Sequence, residues 1–226
     1  MNAHQFLSVF TMVDGRPEEI KGYQDHQCAV LGSSFLEWWE HVALKGGLSA
    51  DCIASVKEYT SGCAFQELNN YLRYGTVSPG GKSQKELELF KIRILSAIEK
   101  SPSIPDGVVL WRGIGNAAGR QIAELDIEDD YVDEAVLSTT ISFDTGRDYS
   151  EEWQTLPSDG IHFTILRFVT SEQQKGIYYR REDESEIILR PETLWRVTNK
   201  HLVEGQKGHT KVYYHIVTMV STGRNL

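Results

Sequence analysis

Little in this chain supplies a covalent staple, a membrane anchor or a surface for polyanions. Its 226 residues include three cysteines, Cys28, Cys52 and Cys63. That count is odd and no two are spaced C-x-x-C, so they read as free thiols in a reducing compartment, without a disulfide framework. No run approaches the roughly 18 apolar residues of a membrane span. The opening stretch, MNAHQFLSVFTMVDGRPEE, has no basic segment before its short apolar run, so no cleaved signal peptide is expected. Basic side chains are outnumbered, 23 Lys and Arg against 32 Asp and Glu, for a formal charge of −9. This balance argues against broad binding to a nucleic-acid backbone. Seven histidines show no ligand spacing, and no metal is expected. Gly113-x-Gly115 lacks the third glycine and the strand-to-helix setting of a dinucleotide fingerprint. There is no internal repeat and no low-complexity tract.

What remains is an ordinary globular composition, 40% hydrophobic and 10% aromatic, sized for one domain. The first 105 residues read as helical. SSFLEWWEHVALKGG has a serine N-cap, an apolar stripe through Phe35, Trp38 and Trp39, and a Gly46-Gly47 stop. Two short helices are expected around Ser61-Gly62, then an exposed turn at SPGGKS. SQKELELFKIRILSAIEKS predicts an amphipathic helix with Leu87, Phe90, Ile94, Leu95 and Ile98 near one face. After SPSIPDG the character changes. VVLWR, EAVLSTT, IHFTILRFV, SEIIL, TLWRV and TKVYYHIVTMV, rich in β-branched and aromatic residues, read as strands. Helices first and strands later point to an α+β fold: a helical region over about 1–105 and a strand-rich core over about 106–226 of one domain.

One strand raises a chemical question. EDESEIIL places Glu182, Glu184 and Glu186 two apart, hence on one face, immediately before Ile187, Ile188 and Leu189. Crowded like charges do not favour folding, so the stretch is either a solvated strand mouth or a working one. Taken singly, such acids are more often solvated edge residues, Arg112 in LWRG a salt-bridged arginine, and Ser138 to Thr140 in LSTTISFD a plain polar face.

Together and in this order, the three segments resemble the Arg–Ser–Glu class of mono-ADP-ribosyltransferases, a family of bacterial toxins, secreted effectors, phage enzymes and vertebrate ecto-enzymes. That family carries an arginine ending one strand, Ser-Thr-Ser on a second and Glu-x-Glu opening a third. EYTSGCAFQELNNYLRYG resembles its helix with an Asn and a Leu-Arg, so the likeness runs over about residues 59–220. Two departures are visible: Ser-Thr-Thr replaces Ser-Thr-Ser, and Arg190-Pro191 reverses the usual order.

The resemblance implies two packed antiparallel sheets behind the helical region, and NAD as co-substrate. Glu186 becomes the carboxylate that stabilises a ribosyl cation, and Glu184 the group that engages the incoming side chain. Ser138 and Arg112 complete the catalytic set, with Gly113, Thr140 and Arg147 as further NAD contacts. Tyr178 and Tyr179 fall where the family has a loop that recognises the modified protein. Asn69 and Arg73 read as structural rather than NAD-contacting. A Glu at the first position of the pair goes in this family with arginine acceptors, and threonine or other acceptors stay open. An NAD glycohydrolase and a non-catalytic binding module are the competing readings. The expected setting is a monomer delivered by a secretion machine into a target cell's cytoplasm, where it modifies a protein, or a phage enzyme acting in the cytoplasm.

Overall fold

The computed structural model describes residues 12–13, 16–17, 47–104, 106–150, 160–171, 174–181 and 184–225. The helix expected at 33–47 lies almost wholly outside them. Met12–Val13 and Arg16–Pro17 form a two-residue antiparallel ladder, so the first 105 residues are not uniformly helical.

Three helices follow: α1 (Ala50–Ser61), α2 (Ala64–Tyr74) and α3 (Gln84–Lys100). Each starts and stops for a local reason. The Ser49 hydroxyl accepts from Cys52 N–H at 3.3 Å and so caps α1. Gly75, at φ 64°, ends α2 in the left-handed region and returns its N–H to Tyr71 O. Ser83 and Glu86 form a reciprocal capping box at the start of α3. The buried stripe of α3, Leu87, Phe90, Ile94, Ala97 and Ile98, matches the expected face except that Ala97 takes the place of Leu95. From Phe90 onward it packs with Val56, Tyr59 and Leu68 of the other two helices, with Ile177 and Ile188 of the sheet, and with Val136 beside the sheet.

The rest of the chain gives β1 (Val109–Ile114), α4 (Asn116–Glu124), β2 (Asp130–Val132), β3 (Leu137–Thr140), α5 (Phe143–Asp148), β4 (Ile161–Val169), β5 (Gly176–Arg181), β6 (Glu184–Leu189), β7 (Thr193–Lys207) and β8 (Thr210–Asn225). All six expected strands are present. Those at 193 and 210 run on as a long hairpin turning through Gly208 at φ 63°. The fold is α+β, with one correction to the expected sheets. The strands link into one eight-stranded sheet, in the order β2-β7-β8-β4-β1-β3-β6-β5. It is mixed rather than antiparallel, because β8 and β4 run parallel.

The link between β1 and β3 is a single pair, Trp111 with Thr140. On one side of that joint lie five strands and on the other three. Leu110, Leu166 and Phe168 of the larger part share a core with Leu137, Ile187 and Leu189 of the smaller, so the sheet closes over itself across the joint. The opposite face of the larger part buries Trp111 edge-on against Phe143 of α5, with ring centroids 5.0 Å apart. No helix among the described residues is long and apolar enough to cross a membrane.

Candidate active site

A cleft of about 630 Å³ opens where the single-pair joint meets the helices. That is within the ordinary range for small-molecule sites, about 300–1,000 Å³. Its floor is Trp111 to Gly113 of β1, Ser138 to Thr140 of β3 and Glu186 of β6. Tyr59, Phe65, Asn69 and Arg73 form the α1–α2 wall, and Thr145, Gly146 and Tyr149 the α5 wall.

Register explains the floor. Thr140 is the partner of Trp111 on one side and of Glu186 on the other, so the joint itself brings β1 to the acidic strand. Ser138 stands on the same face as Thr140 by strand alternation. Its hydroxyl donates to Glu186 Oε1. Thr139 faces the other way and donates to Ile187 O at 2.7 Å, which fixes β3 against β6. Arg112 Nη1 donates to Ser138 O at 3.0 Å, so guanidinium, hydroxyl and carboxylate form one connected run from three strands. Glu184 opens β6 two residues before Glu186, its Cα partner being Arg181.

Of the other expected residues, Gly113 and Thr140 line the cleft, and Arg147, Tyr178 and Tyr179 do not. Gly113 lines the cleft, but its missing side chain serves the fold. A Cβ there would lie 2.2 Å from Ser150 N, 2.4 Å from Gly146 O and 2.5 Å from Tyr149 C. Only glycine admits the end of α5 so close to β1. Thr140 lines the cleft while its hydroxyl accepts from Ser142 N–H at 3.0 Å and so helps launch α5. Arg147 sits on α5, ion-paired with Asp144 at 3.3 Å and Asp148 at 3.2 Å, and is not among the lining residues. Tyr178 and Tyr179 are on β5 and not in a loop, opposite Ile187 and Glu186. Tyr178 is buried in the core cluster, and Tyr179 packs against the helical one.

The α2 contribution is larger than its sequence suggests. Asn69 and Arg73 both line the cleft. Asn69 Nδ2 donates to Tyr59 Oη at 3.3 Å, while the buried Asn69 Oδ1 has no hydrogen-bond partner among the described residues. Tyr59 in turn donates to Val136 O at 3.3 Å. Burial, and to a lesser degree the Glu186 charge, pushes the Tyr59 phenol up, so it stays a neutral strut. Arg73 makes a two-pronged bond to Asp133 at 3.0 and 2.7 Å. Asp133, buried in the stretch between β2 and β3, had no signal in the sequence, because a lone Asp in VDE matches no motif. Phe65 and Tyr149, exposed aromatics on opposite walls, were likewise missed.

The arrangement presents a cation and a hydroxyl-supported carboxylate to one small-molecule cleft. Among the described residues, no group of three His, Cys, Asp or Glu is placed to hold a metal.

No family profile and no curated protein matches the chain in sequence. Solved structures do match in shape. The Vis toxin of Vibrio splendidus, an ADP-ribosyltransferase, is 17% identical, with a TM-score of 0.59 over 95% of this chain and 91% of its own. It has also been solved with agmatine. The enzymatic component C2-I of the Clostridium botulinum C2 toxin is 14% identical, with a TM-score of 0.66 over 96% of this chain. The ADP-ribosylating toxin BECa of C. perfringens, solved with NADH, is 15% identical, with a TM-score of 0.63 over 86% of this chain. This chain spans only about half of the last two, 54% of C2-I and 48% of BECa. The fold of this chain is that of the bacterial ADP-ribosyltransferase toxins.

Proposed function

We propose that the protein is an NAD-dependent mono-ADP-ribosyltransferase that modifies a protein side chain and releases nicotinamide. The observation that carries this reading is the convergence of Arg112, Ser138 and Glu186 from three strands on one cleft, with Ser138 donating to Glu186. Cleaving the bond between nicotinamide and ribose develops positive charge on the sugar, as in glycoside cleavage. The leaving group departs neutral, so no general acid is required for it. A preorganised carboxylate beside the ribose is what the transition state demands. Glu186 fills that role. Ser138 orients it by donating to Oε1. Arg112 supplies the fork that suits pyrophosphate oxygens. Glu184, two residues earlier on the strand, receives the incoming nucleophile and takes its proton.

Arginine is the proposed acceptor. The Glu at the first position of the pair supports it, and agmatine, the ligand of the Vis complex, carries the same guanidinium group. The chain acts as a single domain, and the toxin-like fold supports action on a protein of a target cell.

The test is incubation with biotinylated NAD in bacterial and eukaryotic lysates, with nicotinamide release followed in parallel. Labelled protein is expected with the wild type, and Glu186→Gln is expected to lose transfer and NAD hydrolysis by at least ~100-fold. Nicotinamide release without any labelled protein would identify a glycohydrolase instead. Neither release nor NAD binding would leave a non-catalytic module.

A further inference from the structure

One buried carboxylate behind the cleft is not used by that chemistry. Asp133 stands just after β2, with its side chain 5% exposed. Its Oδ1 accepts from Arg73 Nε at 3.0 Å and from Ala135 N–H at 3.0 Å. Its Oδ2 accepts from Arg73 Nη2 at 2.7 Å and from Tyr131 Oη at 3.4 Å. Arg112 Nη2 lies 3.8 Å from the same Oδ2, close enough for charge but beyond a hydrogen bond. One carboxylate therefore faces two guanidiniums, gripping one with both oxygens and restraining the other at arm's length.

We propose that Asp133 is a positioning residue: it holds Arg112 in place for a dinucleotide phosphate without consuming it. The inference rests on the proposed function, since it assigns Arg112 to the NAD phosphates. Three features carry it. First, the two-pronged bond of Asp133 neutralises Arg73, which leaves Arg112 as the guanidinium of this pair for a pyrophosphate. Without the carboxylate, two guanidiniums would repel across the cleft wall. Second, the bidentate hold by Arg73 occupies the carboxylate and prevents it from closing fully on Arg112. A hydrogen-bonded Arg112–Asp133 pair would compete with the ligand, and a 3.8 Å contact competes less. Third, Arg112 is also tethered to the Ser138 carbonyl at 3.0 Å, on the residue whose hydroxyl supports Glu186. A displaced Arg112 is thus transmitted to the carboxylate that faces the ribose. Arg73 belongs to this device as the clamp that joins α2 to the β2–β3 connection.

Asp133→Asn is nearly isosteric and keeps an oxygen for Ala135 N–H, but removes the charge. Its KM for NAD in nicotinamide release should rise by about 10-fold or more, with kcat lowered by less than about 3-fold, the pattern of lost ground-state binding. Asp133→Glu retains the charge one methylene further out and should recover about half of that loss on a logarithmic scale, leaving KM about 3-fold or more above wild type. A protein that merely needed Asp133 for folding would lose melting temperature and active fraction with KM unchanged. The inference is overturned if Asp133→Asn keeps a wild-type KM, or if kcat falls while KM stays put. Should Asp133→Asn fail to fold, Asp133→Glu decides: a KM raised by more than about 2-fold supports the inference and a wild-type KM overturns it. A wild type that neither binds NAD nor releases nicotinamide overturns the proposed function, and this inference with it. The two failures are told apart by the wild-type arm.

Discussion

Adding one methyl group at Gly113 is a severe test of how the cleft is built. The residue lies within β1 with no positive φ, so alanine meets no backbone strain and the demand is purely steric. A Cβ would sit 2.2 Å from Ser150 N, 2.4 Å from Gly146 O and 2.5 Å from Tyr149 C. All three are backbone atoms, which cannot swing aside as a side chain does. Relief requires α5 to move off β1, taking Phe143 out of its edge-on contact with Trp111. Overpacking of a rigid core costs about 1–3 kcal/mol, and three backbone clashes place Gly113→Ala at the upper end, about 3 kcal/mol. At about 2–4 °C per kcal/mol for a chain this long, the melting temperature should fall by about 6–12 °C. Gly62→Ala is the control. That glycine has extended backbone at φ −162° and open space around its hydrogens. Its replacement should hold or slightly raise stability, since alanine restricts the unfolded chain. Thermal unfolding followed by near-ultraviolet circular dichroism, which senses Trp111, reads both variants. Turnover of Gly113→Ala should also fall well below its melting point, because α5 carries a wall of the cleft. A Gly113→Ala melting within 2 °C of wild type would refute the packing account.

Ser138→Ala removes the hydrogen bond to Glu186; bonds to charged groups are worth about 1.5–3 kcal/mol, so kcat/KM for NAD should fall on the order of 10-fold or more, with little change in melting temperature. Glu184→Gln should spare nicotinamide release in water while removing most protein labelling; equal loss of both would contradict separate roles for the two glutamates. A last expectation concerns acid. His162 Nδ1 lies 2.8 Å from His215 Nε2. Burial, then the neighbouring His162 and Lys200 charges, hold His215 down at about 4, against an ordinary value of 6.5. The unfolded chain therefore takes up that proton first, and this contribution to stability, complete above pH 6.5, declines as pH falls from 6.5 towards 4. Denaturant midpoints at pH 7 and 4.5 should differ by less in His215→Gln than in wild type; an unchanged difference would refute the assignment.

The readable parts of the molecule are those governed by local pattern. The 3.6-residue period placed Leu87, Phe90, Ile94 and Ile98 on the buried face of α3. Alternation put Ser138 and Thr140 on one face, and the Arg, Ser and Glu motifs do meet in one cleft. What escaped was set by distance along the chain. Tyr178 and Tyr179 became a strand because β6 offered them a partner, which no local signal announces. Arg147 was diverted by two aspartates on its own helix, and the use of Gly113 depends on a helix more than thirty residues later. Asp133 gained its place only when α2, 60 residues away in sequence, brought Arg73 to it. Helix, strand and motif are short-range facts, whereas charge partners and close contacts belong to the assembled fold.

The single pair at Trp111 and Thr140 gives the sheet a seam, and the opposite charges of the cleft lie on opposite sides of it: Arg112 with the larger portion, Glu186 with the smaller. Bending at so thin a suture changes the span between cation and anion before it disturbs either ladder. A molecule grasped by both margins would act as a splint, and amide protons flanking Trp111 and Thr140 should be where its arrival is felt most.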